Sequence, residues 1–177
     1  MAISDRIEKA ILDLSINDYE NALVQISIAI DATGKKIKPK SKVGIRCRSF
    51  INENHSFIYH VAMGGSLKIH SEGKILYGEL GDLGQILYKS VRCALLHEAD
   101  ISKTIIFKNG FALGQRNGKF IITTNMLFGL ILAIVGEPKN NNEIMKQNLT
   151  VSLNGIVINI NEYWGKHEGL KKITSMQ

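Results

Sequence analysis

Apolar residues recur at helical spacing through most of the first hundred positions. Ile7, Ile11 and Leu14 share one face, with Ser4 placed to cap the turn before them. The pattern breaks at Asn17-Asp18 and resumes through Ala22, Leu23, Ile26 and Ile30. Residues 4–33 therefore predict one long helix or two in close succession. Gly34 and the lysines after it predict its end, because Gly suits a C-cap and Lys complements the negative helix terminus. Residues 41–52 and 55–63 predict two shorter helices, the second closed by Gly64-Gly65, and 66–79 is ambiguous. Asp82 is placed to cap a strong helix reaching about Glu98, with Leu83, Leu87, Val91 and Ala94 on one stripe.

Beyond residue 100 the period shortens. Residues 104–107, 111–113 and 119–122 predict short strands, with Asn109-Gly110 and Asn117-Gly118 as hairpin turns. A buried helix follows over 124–135, and its apolar run is too short to span a membrane. Residues 149–160, broken at Asn154-Gly155, predict another hairpin, although the second half could instead start a last helix holding Tyr163 and Trp164. The expected fold is mainly α: a single domain over 1–177, with an antiparallel helical bundle over 1–100 and hairpins with closing helices over 101–177. Regular βαβ alternation and both phosphate-loop fingerprints are missing, which argues against Rossmann and P-loop folds.

Composition narrows the function classes. The start enters an amphipathic pattern rather than a signal peptide's apolar region, and Cys47 and Cys93 lie far apart, so a cytoplasmic chain with reduced thiols is expected. A formal charge of +6 favours an anionic partner, nucleic acid first. The excess sits mainly in 35–42 and 166–172. His60, His70 and His167 have no partners at metal-ligand spacing, so neither a metal nor another cofactor is expected.

Arg92-Cys93-Ala94-Leu95-Leu96-His97 places an Arg-x4-His pair near the end of the strongest helix. On spacing alone this is also consistent with an exposed Arg and a His settling the helix dipole. A similar spacing recurs at Arg48 and His55, straddling the helix break at 52–54. The wider context is more specific. Residues 19–36, with Ala29-Ile30-Asp31-Ala32 before a basic turn, resemble an early helix of the HEPN family. Lys42-Val43-Gly44-Ile45-Arg46 with Phe50 resembles its next helix. Leu87-Tyr88-Lys89-Ser90-Val91-Arg92-Cys93-Ala94-Leu95-Leu96-His97-Glu98 resembles its motif helix closely. The resemblance runs over about residues 5–100, and Cys93 stands where the family often has Asn, Asp or His.

The resemblance implies a metal-independent endoribonuclease that leaves a 2′,3′-cyclic phosphate, with Arg92 and His97 catalytic. It extends to toxin or phage-defence roles, with an antitoxin protein as a further partner. The residue types suit that chemistry: RNA carries its own nucleophile, His moves protons near neutral pH, and Arg offers a charged fork to phosphate. Five helical steps separate the pair by about 140° around the axis and about 7.5 Å along it. A homodimer is therefore expected, pairing two such helices around one cleft. Asp31, Tyr88 and Cys93 are accessory candidates. Asp31 could orient His97, pair with Arg92, or simply pair with Lys35; Tyr88 and Cys93 could equally be packing residues. Lys35, Lys36, Arg46 and Arg48 are the candidate RNA-facing cations, with a merely solvated patch as the alternative. The rival expectation is a non-catalytic HEPN-like module that binds RNA or protein.

Overall fold

Helices α1 (Ile3–Ser15) and α2 (Tyr19–Ile37) pack against each other as the first layer of the computed structural model. The structure describes residues 2–65, 75–97, 101–110, 112 and 114–175, without the side chains of 92–97, 102 and 175. The break between the two helices is chemical. Asn17 takes a left-handed φ of 61°, and the Asp18 carboxylate accepts the Asn21 amide at 3.1 Å to start α2. The start of α1 differs from expectation. Ser4 lies inside the first turn and is buried, its amide donating to Glu143 Oε2 at 2.9 Å, while the Asp5 carboxylate closes back on the Ala2 amide. Gly34 does not end α2 either. The helix continues to Ile37, because Gly34 is needed where the backbone of the next helix crosses: a Cβ there would lie 3.2 Å from Arg46 O.

Helices α3 (Val43–Glu53) and α4 (His55–Ala62) follow, separated at Asn54. Helix α5 (Leu83–His97) opens with a reciprocal cap: Gln85 N donates to Asp82 Oδ1 at 2.8 Å and Asp82 N to Gln85 Oε1 at 3.1 Å. Asp82 is thus the cap that the pattern predicted. Of the ambiguous stretch, 66–74 lies outside the described residues.

Three strands come next: β1 (Ile105–Lys108), β2 (Gln115–Arg116) and β3 (Lys119–Thr123), in the order β1-β3-β2. Asn117-Gly118 makes the expected tight turn, both residues at positive φ (51° and 71°). Asn109-Gly110 does not join a hairpin. β1 runs parallel to β3, with Ile105 opposite Phe120. β3 is buried along nearly its whole length, so it takes the central place and both other strands pair to it. Phe111 and Leu113 of the expected middle strand lie outside the described residues, and Ala112 is not in a strand.

Helix α6 (Thr124–Gly136), capped by Thr123 Oγ1, is apolar on every side and buried, as such a helix must be. It packs against α2 and α4 in the middle of a single core that runs from Ile3 to Leu170. The C-terminal half therefore supplies the central helix of that core. No helix among the described residues is long and apolar enough to cross a membrane. β4 (Thr150–Leu153) and β5 (Ile156–Asn159) form the expected antiparallel hairpin over Asn154-Gly155. Tyr163 and Trp164 precede the last helix, α7 (His167–Ser175), rather than lying in it. Gly165 at φ 75° turns the chain and donates its amide to Val135 O at 2.8 Å, and the last helix begins only after it. The result is a mainly helical chain with small strand additions in its C-terminal part, as the pattern predicted.

Candidate functional site: a groove between α2, α3 and α5

Helix α3 is clasped by its neighbours at glycine contacts. At Gly84 of α5 a Cβ would lie 3.0 Å from Arg48 O, and at Gly44 of α3 it would lie 2.9 Å from Cζ of Tyr88. Small residues let these backbones approach closely, and the Tyr88 ring covers the first turn of α3. Beside these contacts a groove of about 750 Å³ opens between the three helices. Ser27, Ile28, Ile30 and Asp31 line it from α2, Lys42 from the residue before α3, Val43, Gly44, Ile45, Cys47, Arg48 and Ile51 from α3, and Leu87, Tyr88 and Val91 from α5. Val43 and Ile45 are 46% and 49% exposed, so the apolar lining reaches the surface.

The charges around the groove are unequal. Asp31 is held by Arg46 through two hydrogen bonds, Nε to Oδ1 at 2.6 Å and Nη2 to Oδ2 at 2.9 Å. Arg46 Nη1 reaches Ser41 O at 3.2 Å. The Cys47 thiol lies 3.5 Å from Asp31 Oδ1; burial, with the neighbouring carboxylate, pushes its pKa up to about 12. Cys47 is thus a packed thiol rather than a nucleophile. Arg48 donates Nε to Gly44 O at 3.0 Å, and its terminal nitrogens have no hydrogen-bond partner among the described residues. Lys42, exposed before the first turn of α3, forms no ion pair among them.

The sequence candidates are distributed as follows. Asp31, Tyr88 and Arg48 meet at the groove. Arg46 faces Asp31 instead of projecting as a free cation, and Lys35 is not the partner of Asp31. Lys36 is engaged with Glu143 at 2.8 Å and does not line the groove, whereas Lys35 is exposed. Arg92, Cys93 and His97 occupy the last turns of α5, directly after Val91, and their side chains lie outside the described residues. The second Arg–His spacing makes no pair: His55 Nδ1 is bound to Asn52 O at 2.6 Å, on a different helix from Arg48. Among the described residues no cluster of three or more His, Cys, Asp or Glu could hold a metal.

The groove itself was not legible in the sequence. Glycines inside helical patterns, at 34, 44 and 84, were the available sign that helices approach closely there. Compared with known proteins, the chain matches a family model described as Rv1289 over residues 2–177. No curated protein and no solved structure matches.

Proposed function

We propose that this chain, which belongs to the Rv1289 family, is an RNA-acting protein of HEPN type whose Arg92–His97 pair cleaves RNA without a metal. The observation that carries the reading is the placement of α5. The helix bearing the pair is fixed against α3 through Gly84 and Tyr88, beside Lys42 and Arg48. A phosphate backbone lying along that basic edge would reach the end of α5. The resemblance of residues 87–98 to the HEPN motif helix and the net charge of +6 support it further.

In the proposed reaction the 2′-oxygen attacks the adjacent phosphorus, its proton passing to a His acting as base. The bond to the 5′-oxygen breaks as a proton is returned to that oxygen, leaving a 2′,3′-cyclic phosphate and a 5′-hydroxyl. Arg92 holds the charge that builds on the phosphoryl oxygens. Two chains, each contributing an Arg and a His, would supply both proton carriers in a homodimer.

The test is incubation of purified protein with single-stranded and structured RNAs in EDTA. Cleavage that His97→Ala abolishes, with cyclic-phosphate ends, is the expected result. RNA bound but never cleaved favours the non-catalytic module instead, a reading to which the largely apolar groove lends weight.

A further inference from the structure

We infer that the groove between α2, α3 and α5 binds a small amphipathic anion, an aliphatic chain ending in one carboxylate or phosphate. Three observations converge on that chemistry. The first is size: about 750 Å³ falls within the range of small-molecule sites. The second is the character of the walls. Ile28, Ile45, Ile51, Leu87 and Val91 are branched aliphatic residues, and Tyr88 is the one aromatic side chain of the lining among the described residues. Such walls lack the stacked aromatic platforms that hold planar bases, and they complement a flexible alkyl chain. The third is charge. The Asp31 carboxylate is neutralised by the Arg46 fork. Among the described residues the remaining charged groups of the lining, Lys42 and Arg48, are both cationic, and the terminal nitrogens of Arg48 have no hydrogen-bond partner there. A chain laid against the aliphatic walls would carry its anionic head to that guanidinium, whose fork matches a carboxylate or phosphate. It would also cover Val43 and Ile45, which the fold leaves in water.

The occupant is a free, monomeric amphiphile rather than a lipid in a bilayer, because a groove with walls from three helices offers its aliphatic surface to a single chain rather than to a flat one. The inference shares Lys42 and Arg48 with the basic edge of the proposed RNA reading, but amphiphile binding is read directly, so either reading can fail without the other.

Calorimetric titration of the full chain with decanoate and decyl phosphate, kept below micelle-forming concentrations, tests it. The expected result is saturable binding of one molecule per chain, with decyltrimethylammonium not binding. Arg48→Met should weaken binding by about tenfold or more, the loss of a charge-assisted contact. Ile45→Glu, at an exposed position, should weaken it similarly through repulsion of the head, with the thermal midpoint unchanged. No binding of either anion at millimolar concentration would overturn the inference. So would equal binding of the cationic amphiphile, or affinities unchanged in both variants. Binding to anionic phospholipid vesicles without binding of the monomers would also overturn it, and would assign the patch to a lipid surface.

Discussion

Asp31 and Arg46, fifteen positions apart, are locked by a two-pronged hydrogen-bonded pair that joins α2 to α3 at the edge of the groove. The pair is partly buried, with side-chain exposures of 35% and 12%. Removing Arg46 would leave a carboxylate beside the Cys47 thiol with no cation to offset it. Arg46→Met should therefore cost about 1–2 kcal/mol of stability, between an exposed and a fully buried pair. Arg46→Lys should recover part of that, keeping the charge and losing the fork. Urea denaturation of the three proteins measures it; an Arg46→Met midpoint equal to the parent's would mean the pair contributes nothing.

The contact between Gly44 and Tyr88 makes a second prediction. A methyl group at 44 would meet the Tyr88 ring at 2.9 Å, so the ring or α3 must shift. Gly44→Ala should destabilise by about 1–3 kcal/mol, as overpacking does. In a Tyr88→Ala background the same change should be far milder, because the obstructing ring is gone. A double-mutant cycle reads the coupling directly, and strict additivity would show that the two residues do not press on one another.

His167 carries the pH dependence. Burial against Phe57, at a ring separation of 5.1 Å, pushes its pKa below the ordinary value, with Lys171 adding and Glu168 and Glu137 opposing. As pH falls through about 6.5 the unfolded chain takes up this proton before the folded one does. The stabilisation from the neutral ring is thus present above that pH and is lost as pH falls toward the folded-state value. The urea midpoint should drop on acidification from about pH 7.5 to about 5.5, and His167→Gln should flatten the slope. Glu143, which burial raises but Lys36 and the Ser4 amide pull down more strongly, loses its contribution only at lower pH. An unaltered slope in His167→Gln would place the dependence elsewhere.

The proposed cleavage separates Arg92 from His97. Arg92→Lys keeps a cation but no planar fork, so it should lose most activity, and Arg92→Ala at least as much. RNA binding should weaken with salt in all of them, as cations displace counterions from the phosphates. His55→Ala should cleave like the parent, since its ring is engaged with Asn52 O. Activity that EDTA abolishes and magnesium restores would exclude the proposed chemistry.

Several elements were legible position by position. The Asp82 cap, the Asn117-Gly118 and Asn154-Gly155 turns and the buried α6 each depend on residues within a few positions of one another. Gly34 and Asn109-Gly110 show where such reading stops. A glycine that looks like a helix end is instead a contact point for α3. A dipeptide that looks like a hairpin turn follows a strand whose partner, β3, runs parallel to it.

The sequence by itself determined most of the helices, the Asp82 cap and the turns at Asn117-Gly118 and Asn154-Gly155, because periodicity, capping oxygens and positive φ are local properties of the chain. It also determined that α6 would be buried, since a helix apolar all round has no face to give to water. Only the tertiary structure decided that β1 pairs parallel with β3, that Asp31 meets Arg46 rather than Lys35, and that a groove opens beside Tyr88. Those outcomes depend on how helices and strands far apart in sequence pack together. Spacing along one chain does not encode that distance.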